Sequence, residues 1–251
     1  MAITTIMFDL DGTLLPMDQD MFVAAYVKGL TATAAPHGYE PQTFSKAVIA
    51  GTVAMVKNDG TRTNEEAFWN TIVCAFGEKA KQDYHIFDKF YLTDFQKIKD
   101  VCGFAPKAAE LLRFIKEKGY RVALATNPLF PKVATESRIC WAGLKPEDFE
   151  IYTTFENYHY CKPNLNYYRE VLDKLHISPE ECLMVGNDVN EDMIAEQLGI
   201  KVFLLTDCLI NKNNKDISCY PQGSFDDLFV FFNALERQTN FEQTNKEPLA
   251  F

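Results

Sequence analysis

The sequence lacks the features of a secreted, membrane-bound or nucleic-acid-binding protein. Its seven cysteines form no CxxC pair and its four histidines show no short metal-ligand spacing, so neither a disulfide framework nor a zinc site is expected. No window approaches the roughly 18 uninterrupted apolar residues of a membrane helix, and no signal-type segment opens the chain. Acidic residues outnumber basic ones, 35 to 25, which argues against a broad basic face that would bind nucleic acid or anionic membranes. We therefore expect a cytoplasmic protein.

What the sequence does contain is the composition of an ordinary globular protein. The chain has 251 residues, of which 47% are hydrophobic and 24% are charged. A chain of this length can bury a full core. It can form one large domain, or a core that carries an insertion.

Strand and helix patterns alternate along the chain from Pro106 onward. Apolar residues recur at helical spacing between 108 and 115, a glycine ends the pattern at Gly119, and a short apolar run of the buried-strand type follows. Strands are predicted at Thr4–Phe8, Arg121–Ala125, Glu150–Thr154, Cys182–Val185 and Lys201–Leu205. Helices are predicted between and after them at residues 131–141, 163–175, 191–198 and 225–235. This alternation predicts an α/β fold with a doubly wound, Rossmann-like parallel sheet.

The segment between the first and second predicted strands has a different character. Residues 17–101 contain no convincing strand and several helix-like stretches, one of which begins with the capping box Thr63–Glu66. The sequence therefore predicts an α/β core made of residues 1–16 and 102–251, interrupted by an all-helical cap domain at residues 17–101.

The stretch IMFDLDGTLLP ends the first predicted strand with two aspartates, Asp9 and Asp11. Side chains two positions apart on an extended chain point the same way, so both carboxylates are expected to face one site. Because two carboxylates aimed at one place repel each other, we expect a divalent cation beside them.

Other strand ends also carry polar groups. Each of these residues alone has an ordinary explanation as a turn former or a helix cap. Together, at adjacent strand ends of one sheet, they predict a site for a metal ion and an anionic ligand. They are Thr126, Asn127, Lys162, Gly186, Asn187, Asp188 and Asp192.

These residues resemble the four motifs of the haloacid dehalogenase-like hydrolases, and the resemblance extends over essentially the whole chain. Motif one, DxDGT followed by an apolar residue, is matched by residues 9–14 and is highly specific. Motif two, a Thr or Ser at a strand end, is matched by Thr126, and motif three by Lys162–Pro163. Motif four is matched by residues 185–192. The order and spacing of the two weaker motifs support the match.

The resemblance implies a role for each matched residue. Asp9 would be the nucleophile that forms an aspartyl-phosphate, and Asp11 the general acid and base. Thr126 would hydrogen-bond a phosphoryl oxygen, and Lys162 would keep Asp9 ionised. Substrate would be bound by Thr126, Asn127, Lys162 and Gly12. Mg²⁺ would be held by Asp9, the backbone carbonyl of Asp11 and motif four.

Motif four departs from the family pattern, which commonly has an Asp directly after the glycine. This chain has Asn187 there and Asp188 next, so Asn187, Asp188 and Asp192 all remain candidate metal ligands.

The resemblance implies a magnesium-dependent phosphomonoesterase acting on a small phosphorylated metabolite. The second Asp of motif one argues against the dehalogenase branch. A sugar-phosphate mutase or other phosphotransferase, and a non-catalytic phospho-ligand binding protein of the same fold, are the alternatives. The sequence does not determine the natural substrate or the oligomeric state.

Overall fold

The computed structural model of the chain describes the fold of residues 2–244 and the side chains of residues 2–235. Five parallel strands form one sheet: β1 Thr5–Phe8, β2 Arg121–Leu124, β3 Cys182–Gly186, β4 Lys201–Leu205 and β5 Gln222–Gly223. The α-helices are α1 Gln19–Ala34, α2 Pro41–Val56, α3 Asn64–Phe76, α4 Lys79–Gln82, α5 Tyr84–Leu92, α6 Pro106–Glu117, α7 Lys132–Trp141, α8 Leu165–Leu175 and α9 Phe225–Thr244. Short 3₁₀-helices lie at Ala35–His37, Asp94–Val101, Pro146–Asp148, Pro179–Glu181 and Met193–Leu198.

Both faces of the sheet are covered, which explains why its strands read as continuous apolar runs. Ile6 and Phe8 of β1 pack into the core on one face, with α6 and α9. Met7 packs into the core on the other face, with α8. The alternation follows from the two-residue repeat of an extended chain.

The strand order is β2-β1-β3-β4-β5. After β1 the chain first adds a strand on one side and later returns to the other, so the connections diverge beside β1. Doubly wound sheets of this order bind ligands at the carboxyl ends of the strands near that point. The predicted fold class is confirmed.

Three details of the core differ from the sequence-based expectation. The predicted strand Glu150–Thr154 is an extended edge segment that forms one isolated bridge, Tyr152 with Leu124, because it pairs with β2 only over a few residues. The predicted helix at 191–198 is a 3₁₀-helix that begins at Met193. The two-residue strand β5 was not predicted, since so short a segment has no detectable periodicity.

All regular elements between Gln19 and Val101 are helical. The predicted capping box opens α3: the hydroxyl of Thr63 accepts from the backbone N–H of Glu66, whose carboxylate accepts in return from the N–H of Thr63. Met17 and Cys102 form a backbone bridge, so the two connections to the core lie side by side. We call residues 17–101 the helical insert. Its division from the core as a separate cap domain stays a prediction.

Asn64 joins the helical insert to the core. Its side chain is fully buried. Its backbone N–H donates to the carbonyl of Tyr158 at 2.9 Å, and its amide group donates to the carbonyls of Pro128 and Tyr160, both at 3.3 Å. Asn58 completes the network by donating to the Asn64 side-chain oxygen at 2.9 Å. Buried polar groups satisfied in this way specify one docking geometry for the insert.

None of the helices within residues 2–244 combines the length and apolar character needed to cross a membrane.

Candidate active site

The carboxyl ends of β1, β2 and β3 bring the predicted site residues to one edge of the sheet. Met7 is paired with Ala123 on one side and with Met184 on the other. Asp9 follows β1, and its backbone N–H donates to the carbonyl of Val185 at 2.9 Å. In this register the residues directly after each strand reach the same level. The three segments that carry motifs one, two and four therefore converge.

Lys162 is the cation at the centre of the site. It is 1% exposed, and its Nζ lies 2.8 Å from Asp9 Oδ1 and 2.6 Å from Asp192 Oδ1. Burial by itself lowers the pKa of a lysine, but the carboxylates of Asp192 and Asp9 raise the pKa of Lys162 well above its usual value. Lys162 is therefore a permanent positive charge that joins motifs one and four.

The carboxylate of Asp9 is held in an environment that opposes its charge. Burial raises the pKa of Asp9 to about 8; Lys162 opposes this shift, and the negative charges of Asp192 and Asp11 add to it. One lysine thus does not balance the acidic groups around Asp9. A further positive charge beside this cluster would favour the ionised form of Asp9.

The three motif-four candidates have different partners. Asn187 is 1% exposed; its Oδ1 accepts from the Thr13 hydroxyl at 3.0 Å, and its Nδ2 donates to the Cys208 carbonyl at 2.7 Å. The Asp188 carboxylate accepts from the N–H groups of the two residues Asn190 and Glu191, which shapes its own loop. Asp192 accepts from Lys162 and from the N–H of Asp188. Among the three, Asn187 is the one that contacts the motif-one loop.

Gly12 allows this contact. Its φ is +87°, and a Cβ at this position would lie 2.3 Å from Asn187 Nδ2. Any larger residue would be both strained and in collision with a buried side chain.

A matched pair of substitutions separates backbone strain at Gly12 from the collision of a side chain there with Asn187. Gly38 has a similar φ of +85°, but a Cβ there would meet nothing within 4 Å. We expect Gly38→Ala to cost about 1–2 kcal/mol of unfolding free energy through backbone strain alone. Gly12→Ala is expected to cost about 1–3 kcal/mol more, because it also overpacks the contact with Asn187. Urea denaturation of both variants measures the difference. Equal losses would contradict the close packing of these two motifs.

Thr126 and Asn127 follow β2. Thr126 is 1% exposed, and its backbone carbonyl accepts from the Tyr167 hydroxyl at 2.8 Å. No hydrogen bond within residues 2–235 occupies the Thr126 hydroxyl, so it is free to donate to a ligand. Asn127 instead uses its amide to join loops: Oδ1 accepts from the Lys162 N–H at 3.2 Å, and Nδ2 donates to Glu191 at 3.0 Å. Its suggested role in substrate binding stays a prediction.

Asp11 is paired with a residue that the sequence analysis missed. The guanidinium of Arg138 on α7 donates to Asp11 Oδ2, and the arginine is 0% exposed. Burial raises the pKa of Asp11, while Arg138 and then Lys162 oppose the rise. The other oxygen, Asp11 Oδ1, is buried and has no hydrogen-bond partner among residues 2–235. Asp11 is therefore held through one oxygen and presents the other unpaired.

The position of Arg138 in the sequence contains a signal that could have been used. It lies between Ala134 and Trp141 at i+4 and i+7, on the stripe of α7 that is buried. A charged residue in the middle of a buried helical stripe needs a partner. The guanidinium group of Arg138 also packs on the ring of Phe130, whose centroid lies 4.4 Å from the guanidinium carbon.

The oxygen ligands at this sheet edge suit Mg²⁺, which needs few protein ligands, better than a metal ion that is bound entirely by side chains. No group of three or more His, Cys, Asp or Glu side chains in the described part of the chain is arranged to hold a metal. Mg²⁺ is commonly bound by one or two carboxylates, with water and substrate phosphate as the other ligands. The excess of negative charge around Asp9 and the amide oxygen of Asn187 are compatible with such a site.

A family model described as haloacid dehalogenase-like hydrolase matches residues 3–199. The chain belongs to this family. The resemblance stated from the four motifs, and the expectation of a hydrolase, are confirmed.

Among curated relatives, proteins named pyrophosphatase PpaX are similar to this chain at low identity. The protein of Bacillus cereus is 20% identical over 201 residues, which is 80% of this chain and 82% of the relative. The protein of Bacillus thuringiensis is 21% identical over 205 residues, with the same coverage.

Solved structures of other proteins have the same fold. A predicted phosphoglycolate phosphatase from Haemophilus somnus has a TM-score of 0.57 and 17% identity, covering 92% of this chain and 98% of that one. CbbY from Rhodobacter sphaeroides, solved in complex with phosphate, also has a TM-score of 0.57, with 19% identity and coverage of 90% and 96%. At these identities the likeness shows the fold alone.

Proposed function

We propose that this protein is a magnesium-dependent phosphomonoesterase that acts on a small phosphorylated metabolite through an aspartyl-phosphate. The observation that carries the proposal is the Asp9–Lys162–Asp192 cluster, with Asp11 beside it, at the strand ends. The phosphatase and pyrophosphatase names of the similar proteins support the same class of reaction.

In the first half-reaction, an oxygen of the Asp9 carboxylate attacks phosphorus and the ester P–O bond breaks. The leaving alkoxide takes a proton from Asp11, whose unpaired Oδ1 is the available oxygen. Burial raises the pKa of Asp11, in the direction that favours the protonated form from which a general acid donates. The Thr126 hydroxyl donates to a phosphoryl oxygen, and Lys162 offsets negative charge as it develops.

In the second half-reaction, Asp11 takes a proton from water, and the resulting hydroxide attacks phosphorus. The bond between phosphorus and Asp9 breaks, which releases inorganic phosphate and restores both carboxyl groups to their starting states. The enzyme therefore needs no external acid or base.

Magnesium would be held by Asp9, the backbone carbonyl of Asp11 and, we propose, Asn187 in preference to Asp188 or Asp192. Its charge would screen the approach of a carboxylate to a phosphate. Asn187 is preferred because its side chain contacts the motif-one loop at Gly12 and Thr13, and its amide oxygen has a second lone pair beside the one that accepts from Thr13. Both oxygens of Asp192 already accept, from Lys162 and from the N–H of Asp188, and Asp188 binds the N–H groups of its own loop.

Metal removal tests this proposal directly. Phosphate release would be assayed with purified protein on a panel of sugar phosphates, phosphoglycolate, 4-nitrophenyl phosphate and inorganic pyrophosphate. We expect activity on at least one monoester in Mg²⁺, a loss of about 10²-fold or more in EDTA, and recovery when Mg²⁺ is added in excess. Activity that is unchanged in EDTA, or confined to pyrophosphate, would contradict the proposal.

A further inference from the structure

A cavity of about 420 Å³ lies between the helical insert and the core. Its inner wall is apolar and aromatic, with the buried side chains of Phe44, Phe68 and Phe87 from the insert and Phe155 from the core. The volume is within the range of sites for small organic molecules. The side chains placed in the candidate active site are not among those that line it.

The charge around this cavity is strongly one-sided. Four lining residues are acidic, Glu65, Asp88, Glu136 and Glu156, and one, Lys132, is basic. Lys132 Nζ lies 3.7 Å from Glu136 Oε1, so the charges of these two side chains offset each other. Within the described side chains, the remaining three carboxylates have no ion-pair partner.

Glu156 lines the cavity and has one carboxylate oxygen without a hydrogen-bond partner within residues 2–235. Its Oε1 accepts from the backbone N–H of Lys132 at 2.7 Å. Its Oε2 is buried and has no hydrogen-bond partner within residues 2–235. An unpaired buried carboxylate oxygen is costly, and a donor with positive charge is its strongest partner.

Glu65 lies in the same electrostatic environment. Burial raises its pKa, and the negative charges of Glu156, Glu66 and Asp88 raise it further. A bound cation would relieve this repulsion.

The aromatic wall suits a cation that carries an apolar body. The ring of Trp69 lies 4.1 Å from that of Tyr84 and 5.2 Å from that of Phe87, measured between centroids, and all three line the cavity. Trp and Tyr ring faces attract positive charge, and the same rings bury hydrocarbon surface.

We propose that this cavity, which we call the insert–core cavity, binds a small organic amine with an aromatic or apolar body. The ammonium group lies at Glu65 and Glu156, and the hydrocarbon part lies against Trp69 and the buried phenylalanines. The site selects against anions, unlike the candidate active site, and it does not depend on the proposed function.

Three probes of nearly equal size test the charge preference: phenethylamine, 2-phenylethanol and 3-phenylpropionate. Binding would be measured by titration calorimetry on the full chain, and by fluorescence of a Trp141→Phe variant, in which Trp69 is the remaining tryptophan. We expect saturable binding of the amine at one site with quenching of Trp69. The alcohol and the acid are expected to bind at least about tenfold more weakly.

Glu156→Gln is the matched variant, because the amide keeps an oxygen to accept from Lys132 and removes the charge. We expect it to weaken amine binding at least about threefold and to leave 2-phenylethanol unchanged. Glu117→Gln, on an exposed residue of α6, is the control and should change neither.

The proposal is overturned by absence of saturable amine binding, by equal affinity for the alcohol, or by a preference for the acid. Each of these outcomes is measured on the unsubstituted chain. The proposal can therefore be rejected even if the Glu156 variant does not fold. Because calorimetry detects binding without turnover, the result is independent of phosphatase activity.

Discussion

Replacing Asp9 by Asn is expected to abolish phosphate release while the protein remains folded. The amide keeps an oxygen that can accept from Lys162, but it is a poor nucleophile toward phosphorus. Loss of a nucleophile that forms a covalent intermediate commonly lowers kcat by about 10⁴-fold or more. The measurement is the initial rate of phosphate release from the best monoester substrate in saturating Mg²⁺, together with circular dichroism to establish that the variant is folded.

The control for this substitution is Asp226→Asn. Asp226 is an exposed aspartate paired with Lys107 on the surface, with a side chain that is 74% exposed. We expect its activity to stay within about twofold of the unsubstituted protein, since surface substitutions of this kind are usually nearly neutral. If Asp9→Asn retained activity comparable to this control, Asp9 would not be the nucleophile and the aspartyl-phosphate would have to be abandoned.

Arg138→Met is expected to have the second large effect, on stability and on activity. It removes the cation that pairs with the mostly buried Asp11, and breaking one partner of a buried pair costs about 3–5 kcal/mol. Arg138 also packs on Phe130, so part of the loss comes from lost contact. Urea unfolding gives the stability. Arg113→Met, on an exposed helical arginine, is the control and is expected to change stability by less than about 0.5 kcal/mol.

A double-mutant cycle separates the ion pair from the packing. In the Asp11→Asn, Arg138→Met double variant no uncompensated carboxylate is buried, so we expect part of the lost stability to return. Strictly additive losses would show that the two side chains are not coupled.

The kinetic effect of Arg138→Met depends on the leaving group if Arg138 orients Asp11 for proton transfer. An alkyl phosphate needs its leaving oxygen protonated, whereas 4-nitrophenolate departs without help. We therefore expect the alkyl phosphate rate to fall more than the 4-nitrophenyl phosphate rate, within the roughly 10²–10⁴-fold that general acid catalysis supplies. Arg138→Lys, which keeps the charge, is expected to restore part of the difference. Equal losses on both substrates would assign Arg138 a purely structural role.

The fold could be predicted from the sequence to a large extent because its signals are local. The alternation of short apolar runs with helical patterns is enough to predict a parallel sheet covered on both faces, and the bounds of four strands follow from it to within one residue. The order of the strands in the sheet was not predicted. The segment at 150–154 was overestimated as a strand because pairing length depends on the partner strand. An edge segment of this kind looks the same in sequence whether it forms one bridge or four.

Part of the candidate site could be predicted from the sequence, and part could not. The convergence of Asp9, Thr126 and Asn187 follows from strand ends, which periodicity locates. Arg138 was missed because it comes from the middle of a helix, and a helical arginine usually faces water. The different partners of Asn187, Asp188 and Asp192 depend on the path of a loop. Side-chain spacing along the sequence does not determine that path.

The sequence by itself determined that a sheet edge would collect carboxylates and a hydroxyl, since Asp9, Thr126 and Asp188 follow strands that periodicity locates. Lys162 reaches the same edge from a loop. Only the tertiary structure decided which oxygen of Asp11 is left unpaired, that Lys162 joins Asp9 to Asp192, and that a cavity with an acidic lining lies between insert and core. The physical reason is range. Strand and helix periodicity is a property of neighbouring residues. Ion pairs and cavities arise from side chains that are distant in the sequence, 153 positions for Lys162 and Asp9, and that meet only when the chain folds.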